Sequence, residues 1–477
     1  MSDSSYDYDL ICIGSGPAGQ RAAVQAAKAG KRVAVIEKRR VVGGVCIETG
    51  TIPSKTFREA VRAMEQVCSF DDGLGFAPKR KPLLKELLGR VGSVIERETH
   101  VLRDQLQRNG VNIILGRASF QNPHALLVQS EEGSRVLSAE HVLVACGTEP
   151  ARPHGVERDG QTIVLSDGLL ELGDLPRTMA VVGAGVIGIE YASMFAALGV
   201  EVTVVDRRDR PLEFLDHEIV DELVHLMRKR EVTFRLGESV DKMRIVDEPT
   251  RKGVIELESG KHIVADVVLF SIGRAGATAG LNLDAAGLAT DDRGRISVNA
   301  NFQTEVPHIY AAGDVIGFPS LAATSSEQGR LAALHMCGLA AFPMPDHFPI
   351  GIYAIPEISM VGATEQQLTK DKVPYEVGLA RYREIARGQI LDDTDGMLKL
   401  IFHAADRKLL GVHAIGTLAT EIIHVGQAVL ALGGGLDYFL QTVFNYPTLA
   451  ECYKVAALDA HNKLERARAL HATDSDD

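Results

Sequence analysis

The chain has 477 residues, 45% of them hydrophobic and 24% charged, which predicts roughly two to four globular domains and excludes a disordered chain. Its formal net charge of −12 argues against nucleic acid as a partner, because binding to phosphates depends on lysine and arginine. No run of about 18 apolar residues marks a membrane helix, and the first residues lack the basic region of a signal peptide, so we expect a cytoplasmic protein without a membrane partner. Six cysteines without CxxC or zinc-type spacing predict neither a metal site nor a disulfide framework.

The N-terminal region predicts a strand, a glycine-rich turn, a helix and a second strand. In chain order it contains the apolar run 10–13, Gly14, Gly16, Gly19, the alanine-rich stretch 21–29, Gly30, the run 32–36, and Glu37 with Lys38. In dinucleotide-binding folds such glycines allow a tight turn, the approach of a pyrophosphate to the backbone, and close packing of the helix. A carboxylate at the end of the second strand, here Glu37, binds ribose hydroxyls. The pattern therefore predicts a dinucleotide site.

The same pattern recurs at a constant distance along the chain. The matching positions, each 169 residues apart, are Gly14 and Gly183, Gly16 and Gly185, Gly19 and Gly188, Gly30 and Gly199, and Glu37 and Asp206. Predicted strands at 180–182 and 201–205 and a predicted helix at 190–198 complete the second pattern. We call residues 10–39 the first copy and residues 179–208 the second copy. Two dinucleotide sites in one chain predict one bound flavin and one diffusing nicotinamide nucleotide.

A third segment indicates which copy binds which ligand. Residues 304–314, TEVPHIYAAGD, resemble the second flavin fingerprint of flavoproteins that have two dinucleotide-binding domains. The resemblance implies that Gly313 and Asp314 bind the ribityl chain of FAD and that the first copy holds the adenine end. The second copy is then left for NAD(H) or NADP(H). An ordinary turn at Gly313 and Asp314 is the alternative.

The segment 43–55, GGVCIETGTIPSK, resembles the redox loop of the dihydrolipoamide dehydrogenase and glutathione reductase family, in which two cysteines form a disulfide over the flavin. The resemblance implies that Gly43, Gly44, Cys46 and Thr51 lie at the flavin. Cys46 stands at the first cysteine position, but Thr51 stands at the second. A flavin site without dithiol chemistry is therefore expected, in which Cys46 either packs against the flavin or keeps a redox role.

The C-terminal segment 444–451, FNYPTLAE, resembles the HPTxxE segment of the same family, in which a histidine paired with a glutamate serves thiol exchange. Tyr446 stands at the histidine position, and Glu451 remains. By its GTIPSK and FNYPT motifs, and over almost its whole length, the chain is most similar to the soluble pyridine nucleotide transhydrogenases, a branch of this family. The resemblance implies an FAD enzyme of cell redox homeostasis that passes a hydride from NADPH through flavin N5 to NAD, with ping-pong kinetics.

Two charged residues fit hydride transfer. Lys55 follows Pro53 and Ser54, and Glu190 follows the second glycine turn. The resemblance implies that Lys55 and Glu190 pair beside flavin N5 and the nicotinamide, where a cation stabilises developing negative charge. The alternatives are a solvated lysine and a glutamate that interacts only with the helix dipole.

The end of the second copy gives a mixed signal for nucleotide choice. Asp206 accepts hydrogen bonds from a ribose 2′-hydroxyl and repels a 2′-phosphate, which favours NAD. Arg207, Arg208 and Arg210 follow directly, and arginines can clamp a 2′-phosphate. The combination suits a site that accepts both nucleotides, whereas arginines of a solvated turn are the alternative.

The sequence predicts an α/β chain with two Rossmann-like dinucleotide-binding domains and a C-terminal α+β dimerisation domain. The family resemblance implies that Gly147 marks the crossover into the second nucleotide domain and that Gly273 marks the return near the nicotinamide. A homodimer, or a larger homo-oligomer, is expected, and Ser166 and Asp167 receive no role. The expected boundaries are 1–150 with 275–345 for FAD, 151–274 for NAD(P), 346–465 for the dimerisation domain and 466–477 for a tail.

Three other functions compete with this interpretation. A dihydrolipoamide dehydrogenase is disfavoured by Thr51 and Tyr446. An NAD(P)H oxidase or a quinone reductase of the diaphorase type stays open, because a reduced flavin without a disulfide partner can pass electrons to oxygen or a quinone. A non-enzymatic flavoprotein that acts as a redox-responsive binding module is disfavoured by Lys55 and Glu190.

Overall fold

The computed structural model of the chain describes residues 6–69, 84–151 and 159–474. The described residues form two compact units. The first unit takes residues from 1–155, 164–175 and 272–344, and the second takes residues from 156–163, 176–271 and 345–477. The first copy lies in the first unit, and the second copy lies in the second unit.

Strands and helices alternate along most of the chain, and the predicted α/β fold class is confirmed. In chain order the strands are β1 (Tyr8–Ile13), β2 (Val33–Glu37), β3 (Asn112–Leu115), β4 (Arg117–Asn122), β5 (Ala125–Ser130), β6 (Gly133–Val144), β7 (Thr148–Pro150), β8 (Ile163–Leu165), β9 (Thr178–Val182), β10 (Glu201–Asp206), β11 (Thr233–Leu236), β12 (Val240–Val246), β13 (Lys252–Leu257), β14 (His262–Ala265), β15 (Val267–Phe270), β16 (Arg274–Gly276), β17 (Ile309–Ala311), β18 (Ile350–Ile352), β19 (Ile358–Gly362), β20 (Tyr375–Arg381), β21 (Met397–His403) and β22 (Leu409–Ile415).

The helices cover the strands. In chain order they are α1 (Pro17–Lys28), α2 (Val45–Glu48), α3 (Thr51–Ser69), α4 (Leu84–Arg108), α5 (Val186–Ala197), α6 (His217–Lys229), α7 (Ala322–Met336), α8 (Glu365–Lys370), α9 (Ala386–Ile390), α10 (Ala419–Ala431), α11 (Leu436–Gln441) and α12 (Glu451–Asp474), with short 3₁₀ turns at Ser166–Glu171, Leu283–Ala286, Asp314–Ile316 and Tyr382–Glu384. None of the helices in the described part of the chain combines the length and hydropathy that a bilayer crossing requires.

The first unit is built on a sheet in the order β3-β2-β1-β6-β5-β4, with β17 also paired to β6. Strands β1, β2, β3, β6 and β17 run parallel, and every residue of β2 is buried, as expected for a parallel strand covered on both faces. Alternate residues of β1 enter different cores. Leu10 and Cys12 belong to one apolar cluster, and Ile11 and Ile13 belong to the other. This sheet therefore holds the first glycine turn between two cores.

The second unit repeats the parallel arrangement, with strands in the order β11-β10-β9-β15. The same unit contains an antiparallel sheet, in the order β18-β19-β22-β21-β20, near the C-terminus. Helix α12 packs directly on this sheet, since a Cβ at Gly378 would lie 1.9 Å from the carbonyl oxygen of Ala456. Helix α12 runs past residue 465, where the sequence placed the start of the tail. The predicted division into three domains stays a prediction, because compactness groups residues 345–477 with the second copy.

Candidate functional site

The first glycine turn requires glycine at two of its three positions. Gly14 has φ +108°, and a Cβ there would lie 2.3 Å from the carbonyl oxygen of Ala145. A Cβ at Gly19 would lie 2.0 Å from the carbonyl oxygen of Gly14, whereas no described atom lies within 4 Å of a Cβ at Gly16. Helix α1 starts after Gly16 without a side-chain cap, so its first N–H groups are left for a ligand.

The second glycine turn has the same geometry. Gly183 has φ +107°, and its Cβ would lie 2.6 Å from the carbonyl oxygen of Ser271. A Cβ at Gly188 would lie 1.9 Å from the carbonyl oxygen of Gly183, and the space around a Cβ at Gly185 is open to 4 Å. The constant offset in sequence thus corresponds to one backbone arrangement, built twice.

The carboxylate of Glu37 bonds to the first turn. One oxygen accepts hydrogen bonds from the backbone N–H of Ser15 at 3.0 Å and from its hydroxyl at 2.6 Å. The other oxygen accepts from the backbone N–H of Arg39 at 2.9 Å. The sequence predicted only a ligand-binding role for Glu37, but the carboxylate also fixes the turn.

Asp206 bonds to the second turn in the corresponding way and carries an additional arginine. Its oxygens accept from the backbone N–H of Ala184 at 2.6 Å and of Arg208 at 2.9 Å. The Arg208 side chain adds bonds from Nε at 2.9 Å and Nη2 at 2.7 Å. Burial alone raises the pKa of Asp206, but the hydrogen bonds from Arg208 and Ala184 outweigh it, so the pKa lies below its usual value. Asp206 is therefore an ionised partner of Arg208.

The neighbouring arginines have other surroundings. Arg207 is exposed, and Arg210 pairs with Asp221 of α6. In the first copy the residue that matches Arg208 is Arg39, whose side chain pairs with Glu48 instead of Glu37. The solvated-turn interpretation thus describes Arg207 but not Arg208.

A cavity of about 410 Å³ lies within the first unit. It brings together the glycine turn of the first copy, the loop of Cys46 and the turn at Asp314. The predicted FAD residues that line it are Gly14, Gly16, Glu37, Lys38, Gly44, Cys46, Thr51, Gly147, Gly313 and Asp314. Gly19, Gly43 and Lys55 are not part of this lining. Gly43 supports the turn indirectly, since its N–H donates to the Ser15 hydroxyl at 2.8 Å.

Cys46 and Thr51 both line this cavity. Cys46 is a free thiol. Burial raises its pKa, although a hydrogen bond with Thr51 and the charge of Lys55 act in the opposite direction. The thiol is therefore protonated near neutral pH, and its neighbour carries a hydroxyl where a second thiol would be needed for a disulfide.

Asp314 starts the 3₁₀ turn that follows β17. Burial raises the pKa of Asp314, whereas the charge of Arg274 and hydrogen bonds with Ser325 and Thr148 lower it. The Ser325 hydroxyl lies 3.4 Å from the Asp314 carboxylate. The predicted ribityl-binding residue thus sits in a polar corner of an otherwise buried turn.

Arg274 is a residue of this corner that sequence reasoning missed. Its Nε donates to the Thr148 hydroxyl at 2.9 Å, its Nη2 to the Thr148 carbonyl oxygen at 2.9 Å, and its Nη1 to Asp167 at 3.1 Å. Asp167, which received no role from the sequence, is the ionic partner of Arg274. Nearby, the carbonyl oxygen of Gly273 accepts the N–H of Ala151 at 3.0 Å, next to the pairing of β7 with β16. The only sequence signal for Arg274 was its place directly after Gly273, which was predicted to mark the return of the chain.

Glu190 is buried on α5, and both its carboxylate and its backbone carbonyl oxygen accept hydrogen bonds. Its carboxylate accepts the backbone N–H of Tyr353 at 2.8 Å. Its carbonyl oxygen accepts the Ser193 hydroxyl at 2.7 Å, and Ser193 in turn accepts the N–H of Ile355 at 3.0 Å. Sequence reasoning missed Ser193, Tyr353 and Ile355, because nothing in a local motif indicates them.

Lys55 belongs to α3 of the first unit, and Glu190 belongs to the second unit. The ammonium of Lys55 lies 3.3 Å from the hydroxyl of Ser54. The pairing of Lys55 with Glu190 stays a prediction.

The segment around Tyr446 presents an aromatic ring to the surface. Tyr446 is 73% exposed and Val443 is 93% exposed. Glu451 starts α12, and among the described residues one of its carboxylate oxygens is buried without a hydrogen-bond partner. Within the described chain, Tyr446 therefore does not take over the pairing that the family histidine makes with its glutamate.

One cluster of acids bears on the predicted absence of a metal site. Oxygens of Asp216, Glu218 and Glu365 lie within 4.8 Å of one another. The fully buried ammonium of Lys399 bonds to Asp216 at 2.8 Å, to Glu218 at 2.9 Å and also to Glu365. We call these four residues the Lys399 cluster. The cation that contacts all three carboxylates is the ammonium of Lys399.

Comparison with known proteins gives matches over almost the whole chain. Residues 8–329 match the family model described as pyridine nucleotide-disulphide oxidoreductase. Residues 348–457 match the dimerisation domain of the same family. Both copies, the Cys46 loop and Asp314 fall within the first match.

Curated relatives and solved structures agree with this result. A soluble pyridine nucleotide transhydrogenase of Mycobacterium bovis is 53% identical over 98% of this chain and 99% of that protein. One of Photobacterium profundum is 44% identical over 96% of this chain and 98% of that protein. The structure of LpdA from Mycobacterium tuberculosis superposes with a TM-score of 0.86 at 26% identity, over 94% of this chain and 99% of that chain. A flavoprotein disulfide reductase, RclA of Escherichia coli, gives the same TM-score, identity and coverage.

Proposed function

Because the chain belongs to the pyridine nucleotide-disulphide oxidoreductase family, we propose that it is an FAD-dependent NAD(P) transhydrogenase, which converts NADPH and NAD to NADP and NADH. The observation that carries the proposal is that Cys46 and Thr51, which stand at the two cysteine positions of the family, line the same cavity. A disulfide substrate needs two thiols at this place, whereas exchange of a hydride between nucleotides needs none. Relatives that bear the transhydrogenase name over nearly the full length support the same reaction.

The residues of the first unit fit FAD. The uncapped start of α1 and the open face of Gly16 suit a pyrophosphate. In the proposal Glu37 binds the adenosine ribose and Asp314 the ribityl chain, at different parts of the cavity wall. When bound, FAD supplies a ring that takes a hydride from one nicotinamide nucleotide and returns it to another.

The residues of the second unit bind the nicotinamide nucleotides in turn. Gly183, Gly185 and Gly188 form a turn that suits the pyrophosphate common to NADPH and NAD. Glu190, held by Tyr353 and Ser193, is fixed for a contact near the nicotinamide. Because one copy serves both nucleotides, NADP leaves before NAD binds, and the kinetics are ping-pong. NADPH loses one hydride, NAD gains it, and no proton is consumed.

The proposal includes a homodimer in the cytoplasm. The match of residues 348–457 to a dimerisation domain supports self-association. The exposed apolar side chains of Val443 and Tyr446 suit burial against a second copy. A cytoplasmic location is part of the proposal, since both NADPH and NAD are present there.

The test is a two-step reaction without oxygen. NADPH is added to the FAD-loaded enzyme, and loss of the flavin absorbance is expected. Addition of NAD should restore the absorbance and produce NADH, whereas oxidised lipoamide should restore none of it. If NAD leaves the absorbance unchanged while lipoamide or oxygen restores it, the transhydrogenase proposal is wrong.

A further inference from the structure

The Asp206 carboxylate has all its acceptor positions in use. It accepts four N–H groups, two from the backbone of Ala184 and Arg208 and two from the Arg208 side chain. An ionised carboxylate offers about four lone-pair positions. A ribose hydroxyl can bond to Asp206 only if one of these donors leaves. The backbone donors are part of the turn, so the Arg208 side chain is the donor that can be displaced.

The position of the Arg208 side chain is not forced by the backbone. Arg39 occupies the same place in the first copy, and its N–H bonds to Glu37 as the N–H of Arg208 bonds to Asp206. The Arg39 side chain nevertheless pairs with Glu48. The same backbone thus allows the guanidinium to lie on the carboxylate or away from it.

The Arg208 guanidinium also has donors to spare. Its side chain is 36% exposed, compared with 6% for Asp206. Two of its five N–H groups bond to Asp206, and the other three have no hydrogen-bond partner among the described residues. These three can bind a phosphate while the guanidinium continues to neutralise Asp206.

We propose that Arg208 is an exchangeable latch on Asp206, closed for NADP(H) and open for NAD(H). With the latch closed, the 2′-phosphate meets a neutralised carboxylate and the remaining donors of Arg208. With the latch open, the guanidinium leaves Asp206, and the ribose hydroxyls donate to the carboxylate in its place. The proposal rests on the proposed function, in which both nucleotides use the second copy.

The test measures binding to the FAD-loaded enzyme, by calorimetry, of two probes that lack the nicotinamide. The probes are 2′,5′-ADP, which carries the 2′-phosphate, and 5′-AMP, which does not. Arg208→Ala should weaken 2′,5′-ADP by about 10- to 100-fold, the range for a lost hydrogen bond to a charged group. The affinity for 5′-AMP should stay the same or increase, because the latch no longer competes for Asp206. Asp206→Asn should do the opposite: weaken 5′-AMP and leave 2′,5′-ADP unchanged or tighter.

Arg244→Ala is the matched control. Arg244 pairs with Glu256 on an antiparallel sheet of the same unit, and its loss should change neither affinity. Equal weakening of both probes by Arg208→Ala would mean a structural role and would overturn the latch. A larger loss of 2′,5′-ADP binding in Arg207→Ala than in Arg208→Ala would overturn it as well, because Arg207 would then be the residue that binds the 2′-phosphate.

The outcome is separable from that of the proposed function. If NAD fails to restore the flavin absorbance in the wild-type enzyme, the reaction is wrong. The ratio of the two probe affinities still reports the latch, because neither probe carries a hydride.

Discussion

The first and second copies share a backbone and differ in the side chains around it. The glycine contacts agree to within 0.3 Å, with Cβ distances of 2.3 and 2.6 Å in one pair and 2.0 and 1.9 Å in the other. The carboxylate of the first copy is held by a serine hydroxyl, and that of the second by an arginine. The backbone thus suits a pyrophosphate in both copies, while the side chains decide whether the ribose end is fixed or exchangeable.

The helices that follow the two glycine turns also differ in the burial and the hydrogen bonds of their side chains. Arg21 of α1 is exposed, whereas the matching residue of α5, Glu190, is buried and bonded to Tyr353. The second copy thus has a fixed carboxylate at a helix position where the first copy has an exposed arginine. Substitutions at matching positions test whether the first copy binds a resident ligand and the second copy a visiting one.

The largest effect is expected for alanine at the third glycine of each copy. A Cβ at Gly19 or Gly188 would lie 2.0 or 1.9 Å from a carbonyl oxygen, far inside van der Waals contact, so the turn must move. Gly19→Ala should yield enzyme with little bound FAD. Gly188→Ala should retain FAD but raise KM for both nucleotides by about 100-fold.

Visible absorbance of the purified protein and initial rates measure these two effects. Gly89→Ala in α4 is the control, since no described atom lies within 4 Å of its Cβ, and it should retain both FAD and activity. Loss of FAD in Gly188→Ala, or its retention in Gly19→Ala, would contradict the assignment of a resident and a visiting ligand.

A moderate effect is expected for Ser193→Ala, which removes the hydroxyl that joins Glu190 to Ile355. Ser193 is a positioning residue, so kcat should fall by about 3- to 10-fold, as for one lost hydrogen bond, while KM changes little. Val24 matches Ser193 in the first copy. Val24→Ala should lower the melting temperature without a selective loss of kcat. A rise in KM at constant kcat would show that Ser193 serves binding instead.

The smallest effect concerns pH. Hydrogen bonds from Arg208 and Ala184 hold the pKa of Asp206 below its usual value despite burial. A carboxyl with a depressed pKa contributes stability above its unfolded pKa of about 3.9 and loses it as the pH falls through the folded value. The wild type should melt about 2 °C higher than Asp206→Asn at pH 7, as for a partly exposed ion pair. The difference should begin to shrink near pH 4 and vanish only below the folded pKa of Asp206. A difference in melting temperature that grows as the pH falls would contradict this prediction.

The sequence predicted the parts of this molecule that are encoded locally. The glycines and the terminal carboxylates of both copies lie within 24 residues of one another, counted from Gly14 to Glu37, and the predicted strands and helices formed there. The predicted residues at Cys46 and Asp314 line one cavity, because their motifs follow strands of one sheet.

The rest depended on contacts between distant residues. Arg274 and Asp167 are 107 residues apart, and Glu190 and Tyr353 are 163 apart. No local pattern marks such partners, since tertiary packing brings them together. The three arginines after Asp206 posed a different problem. Their spacing is clear, but only the packed structure shows that Arg210 is taken by Asp221 and Arg208 by Asp206.

The Lys399 cluster determines where this protein can be cut. Its lysine lies on β21 near the C-terminus, whereas Asp216 and Glu218 lie at the start of α6 beside the second copy. A truncated chain that ends before residue 345 would keep both acids and lose their buried cation, and an unpaired buried charge is strongly destabilising. The second nucleotide fold is therefore not an independent module, and transplanting it to another protein requires its C-terminal sheet as well.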